Sequence, residues 1–68
     1  MKNEYKQLAD NIRIERLRRR YSQDKLAEMA TISPKYLNLI ENCKCNPTIQ
    51  VVLKICSALD MELNSLLK

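Results

Sequence analysis

Apolar residues recur along this chain at helical spacing, and no segment reads as a strand. Tyr5, Leu8, Ala9 and Ile12 share one face, and the pattern continues to Arg16, which predicts a first helix over about residues 4–20. Leu17 lies at the edge of that face. Ile14 points to the opposite side and is expected to be an exposed apolar residue. A second helix over about 23–30 turns Leu26, Ala27 and Ala30 inward, and the two small alanines let a neighbouring helix approach closely. A third over about 34–41 buries Leu37 and Ile40. After a loop over 42–47, a fourth helix starts at Thr48 and gathers Ile49, Val52, Leu53, Ile55, Cys56 and Leu59 largely on one side. Met61, Leu63, Leu66 and Leu67 mark a last short helix over about 62–67. The pattern predicts an all-α orthogonal bundle of five short helices forming a single domain over 1–68.

The second and third helices open in the same way. Tyr21-Ser22 leads to Leu26, and Ile32-Ser33-Pro34 leads to Leu37. In each, a hydroxyl at the N-cap satisfies an orphaned backbone N–H while the flanking apolar pair staples the entering chain to the first turn. Pro34 falls at the first helical position, where its missing N–H costs nothing. A turn of three or four residues joins the two helices. Over about 22–41 this is a helix-turn-helix, a motif that commonly sets its second helix in the major groove of DNA.

Composition supports that direction. Twelve Lys and Arg against eight Asp and Glu give a net charge of +4, and a basic balance suits a polyanionic partner. With 46% apolar residues the chain can fold, but Phe and Trp are absent, so aliphatic side chains must fill the core. Arg18 and Arg19, in the basic run from Arg16 to Arg20, read as a solvated helix end whose cations complement the C-terminal dipole. No signal-peptide pattern or long apolar segment appears, which predicts a cytoplasmic protein with no membrane association. Cys43, Cys45 and Cys56 are odd in number and fit reduced thiols; without His they do not assemble the usual zinc set, so neither metal nor cofactor is expected. Cys56 sits on an apolar helical face as a small core residue. The absence of His, of paired acids at a plausible cleft and of the length to enclose a substrate argues against an enzyme and against a small-molecule ligand.

Ser22-Gln23, Leu26-Ala27, Ala30, Ile32-Ser33, Tyr36-Leu37, Ile40-Glu41, Asn46-Pro47-Thr48, Leu53-Lys54-Ile55 and Ala58-Leu59 together resemble the lambda-repressor-like, Cro/cI-type (XRE) helix-turn-helix family, from Ile12 through Leu67. The resemblance implies a compact five-helix DNA-binding domain that binds duplex DNA sequence-specifically, usually as a dimer, without enzymatic activity. It also implies a partly buried ion pair between Arg16 and Glu41, tying the first helix to the third. One departure is systematic: the chain has no glycine. Where the family commonly places Gly, it has Arg20, Thr31, Cys43 and Asp60. Such positions often need positive φ, which a β-branched Thr tolerates badly. Either the turn at Thr31 takes another geometry, or it stores strain of roughly 1 kcal/mol or more. Glu62 replaces the usual Ser cap of the last helix, weakening its start.

The polar positions of the third helix have the chemistry of base reading. Asn38 can pair bidentately with adenine, Lys35 can donate to guanine, Leu39 can cover a thymine methyl, and Pro34 offers apolar contact. Phosphate contacts are expected from Gln23, Tyr36, Asn42 and Lys44, with Arg13 a weaker candidate. Gln23 heads the list because it begins the second helix, where N–H groups and the dipole attract an anion, and because the family's matching glutamine commonly holds a phosphate.

These readings combine into a transcriptional regulator, either a repressor or a restriction-modification-type controller, on double-stranded DNA with a palindromic operator. The alternative is an antitoxin or other protein-interaction module using the same fold. Leu63, Leu66 and Leu67 crowd the last helix and cannot all face one small core, so the remainder should form a homodimer interface, with Leu66 the residue expected to lie in it.

Overall fold

Hydroxyl caps set three helix starts. The computed structural model describes residues 5–68, so the predicted beginning of the first helix at residue 4 lies outside the described residues. Among these, α1 spans Lys6–Arg18, α2 Gln23–Met29, α3 Pro34–Glu41, α4 Ile49–Leu59 and α5 Leu63–Leu67, with no strand. Ser22 accepts from the Lys25 N–H, Ser33 from Tyr36 and Thr48 from Val51. α5 has no such cap, since the Glu62 side chain makes no capping bond. Its last turn is held from outside instead. Asn11 Nδ2 donates to the Leu66 carbonyl at 2.7 Å, and Gln7 Nε2 donates to the carbonyl of Lys68.

The helix ends repeat one motif four times. After α1, α2, α3 and α4 the chain turns through Arg20, Thr31, Cys43 and Asp60, whose φ values are 59°, 54°, 59° and 57°. In each case the following N–H reaches back across the last turn: Tyr21 to Arg16, Ile32 to Ala27, Lys44 to Leu39 and Met61 to Cys56, at 2.8–3.1 Å. This is the Schellman closure, which normally recruits glycine because a left-handed residue with a Cβ is strained. Thr31 therefore keeps the left-handed geometry and carries the strain. The residues beyond three of these turns, Tyr21, Ile32 and Met61, fold back against the core.

The core is aliphatic. Ile12, Leu26, Leu37, Ile40, Ile55, Leu59 and Leu66 are fully buried, joined by Ala27, Ala30 and Cys56. Burial pushes the Cys56 thiol above its ordinary range, since the thiolate would lose its water. α2 packs against α3 and α4, while α1 braces α3 and α5.

Several expectations about facing need correction. Tyr5 lies at the head of α1 and is exposed rather than inward. On α4 the core takes Val52, Ile55, Cys56 and Leu59; Leu53 is about 100° off Val52 around the helix and Ile49 stands in the outer first turn, so both are exposed. Leu66 is a core residue with no exposed surface, and Leu67 is the α5 leucine that faces outward, 50% exposed. Ile14 is exposed as expected.

Candidate nucleic-acid interface

The four residues 30–33 join α2 to α3, closed by the left-handed Thr31 and the Ser33 cap. Pro34, Lys35, Asn38 and Asn42 are exposed on α3 and its cap, so four of the sequence-predicted residues share one outward surface. Leu39 and Tyr36 differ from a simple surface reading: each is half-buried, and the body of Tyr36 packs against the core. Leu39 therefore offers an edge and not a whole side chain. Lys44 is exposed just beyond the helix, where its own N–H closes the α3 turn on Leu39.

Beneath this surface lies a buried anchor. Glu41, on the inner side of α3, takes two bonds from Arg16 of α1: Nε to Oε2 at 2.9 Å and Nη2 to Oε1 at 3.1 Å. The same guanidinium donates through Nη1 to the carbonyl of Tyr21 at 2.9 Å. Every polar side-chain atom buried among the described residues has a partner. Because Glu41 is the one acid of α3 and is neutralised internally, Lys35 and Lys44 set the sign of the outer surface.

Gln23, at the first position of α2, joins the anchor to the surface. Its Nε2 donates to Glu41 Oε1 at 3.0 Å, while its Oε1 accepts from Asn38 Nδ2 at 3.2 Å. Asn42 Nδ2 in turn donates to the Asn38 carbonyl at 2.8 Å. Gln23, Asn38 and Asn42 are thus brought together. The link between Gln23 and Asn38 had no signal in the sequence, because neither helical spacing nor a motif pairs residues on two different helices.

Arg13 is engaged on α1 rather than bonded to this group. It shares the Asp10 carboxylate with Lys6, at 3.2 and 3.1 Å, beside a cleft of about 320 Å³ that reaches Asn42 and Cys43. The basic run after it is similarly engaged: Arg18 and Arg19 both pair with Glu15, and the Arg19 hydrogen bond is the main influence holding that carboxyl below its usual range. Among the described residues no three His, Cys, Asp or Glu side chains gather as a metal site.

A helix-turn-helix family model (HTH_3) matches residues 12–66. The chain belongs to this XRE-type helix-turn-helix family. Its function is that of a DNA-binding transcriptional regulator. Solved structures agree. The restriction-modification controller protein C.AhdI from Aeromonas hydrophila is 26% identical with a TM-score of 0.88, covering 91% of this chain and 94% of its own. SinR, the master regulator for biofilm formation, solved in complex with DNA, is 35% identical with a TM-score of 0.82, covering 90% and 98%. A hypothetical transcription factor, NHTF, from Neisseria is 26% identical with a TM-score of 0.91, covering 96% and 73%. No curated protein sequence matches the chain. Among the described residues no helix is long and apolar enough to cross a membrane.

Proposed function

We propose that this helix-turn-helix domain reads duplex DNA through α3, in the manner of a repressor or a restriction-modification-type controller, acting in the cytoplasm. The observation that carries the reading is the pairing of an outward α3 surface of Lys35, Asn38 and Asn42 with a rigid inner side fixed by Arg16–Glu41. A helix presented to the major groove must hold its register to a fraction of a base step, and a buried bidentate ion pair supplies that rigidity. Pro34, Lys35, Asn38 and the edge of Leu39 are the proposed base contacts. Gln23, Tyr36, Asn42 and Lys44 are the proposed phosphate contacts, flanking α3 at both ends. The likeness to C.AhdI favours the controller reading.

The protein works as a homodimer, and its operator is accordingly palindromic. Ile49, Leu53 and Leu67 leave an apolar surface exposed on α4 and α5, next to a groove of about 280 Å³ lined by Leu8, Pro47, Val52 and Leu63. Exposed apolar patches commonly mark interaction surfaces. A twofold dimer of this kind sets two α3 helices about 34 Å apart, one DNA turn.

Binding titrated at several salt concentrations tests the reading. Counterion release from about 6 phosphates per dimer makes log K fall against log salt with a slope near −5. A flat response, or no duplex binding at low salt, overturns it in favour of a protein-interaction module.

A further inference from the structure

The four side chains Arg16, Glu41, Gln23 and Asn38 form one polar chain from the core to the surface of α3. Each link has a direction. A carboxylate paired with a guanidinium offers acceptors only, so the Gln23 group facing Glu41 must be its NH2. The Gln23 carbonyl is thereby turned toward Asn38, and the Asn38 group facing it must be a donor. The amide of Asn38 therefore has one N–H spent on Gln23, with one N–H and Oδ1 left for a ligand.

We infer that Gln23 is a specificity-determining positioning residue, which orients the Asn38 amide so that its remaining donor and acceptor match adenine. The inference rests on the reading of α3 as the base-reading helix. In the major groove adenine presents an acceptor at N7 and a donor at N6, whereas guanine presents two acceptors. One free N–H and one free carbonyl oxygen satisfy adenine and leave a guanine oxygen facing Oδ1. Flipping the Asn38 amide to suit another base would set its Oδ1 against Oε1 of Gln23, two acceptors face to face. Gln23 cannot flip to relieve this without setting its own oxygen against Glu41. The polarity of the buried ion pair is thus relayed to a base preference at the surface, in addition to any contact Gln23 makes with phosphate.

The two roles of Gln23 separate in a binding experiment. The probes are duplexes chosen from a random pool and their single-base-pair variants, and the position whose preference disappears in Asn38→Ala marks the base that Asn38 reads. There the wild type should favour adenine roughly tenfold, the scale of one bidentate contact. Gln23→Ala, and Gln23→Met, which keeps the side-chain stem, should each lower that preference several-fold while leaving untouched the position lost in Lys35→Ala. The double variant Gln23→Ala/Asn38→Ala should show no preference beyond that of Asn38→Ala alone. If both Gln23 variants instead weaken all duplexes by one common factor, Gln23 is a phosphate ligand only and the inference is overturned. If Asn38→Ala leaves every preference in place, the base-reading role of Asn38 falls, and the inference falls with it.

Discussion

Arg16 and Glu41, 25 residues apart, meet through two hydrogen bonds of 2.9 and 3.1 Å, with the Glu41 side chain 1% exposed. The pair joins α1 to α3, and the third arm of Arg16 on the Tyr21 carbonyl includes the turn between α1 and α2. Removing one partner leaves the other buried and uncompensated, which costs roughly 3–5 kcal/mol. A small domain has only about 5–15 kcal/mol of stability in total. Glu41→Ala should therefore lower the melting temperature steeply or unfold the domain, as thermal denaturation followed by circular dichroism will show. An unchanged midpoint would mean the pair is dispensable.

Thr31 is the most strained of the four left-handed residues, because its β-branch crowds the backbone at φ 54°. Thr31→Gly removes the Cβ and should stabilise the protein by about 1 kcal/mol, allowing for the extra freedom glycine gives the unfolded chain. For a domain of this size that corresponds to a rise of roughly 4–8 °C in Tm. A fall in Tm contradicts the left-handed turn. The effect at Asp60 should be smaller, since Asp tolerates this region better.

Local rules make two helix starts legible in the sequence. Ser22 and Ser33 each cap where a hydroxyl precedes an apolar-periodic run, and α3 matches its expected span of 34–41. Thr48, expected as the first residue of α4, is its cap instead. The left-handed turns were legible only by resemblance, since Arg20, Thr31 and Cys43 carry no intrinsic preference for that conformation. Facing was harder to read in helices rich in apolar residues. In α4 and α5 the pattern supplies more candidates than the core has places, and periodicity alone does not decide among them: Leu53 is exposed and Leu66 is core. The Gln23–Asn38 bond depends on the docking of α2 on α3, a tertiary relation that helical periodicity does not encode.

Leu67, exposed where Leu66 is buried, is the α5 leucine available to a dimer interface. Leu67→Lys places a charge on the exposed apolar surface and should shift sedimentation toward monomer across a dilution series while leaving the fold intact. Leu66→Lys buries that charge in the core and should unfold the domain. Normal dimerisation of Leu67→Lys removes that residue from the interface, and a monomeric wild type at high concentration with operator present contradicts the dimer itself.

Selecting bound duplexes from a random pool with wild type, Lys35→Ala and Asn38→Ala shows whether α3 reads base sequence. A palindromic consensus is expected, with half-sites repeating about one DNA turn apart and each variant losing about 1–3 kcal/mol of discrimination at its own base position. A consensus that both variants reproduce unchanged would mean that α3 does not read the bases.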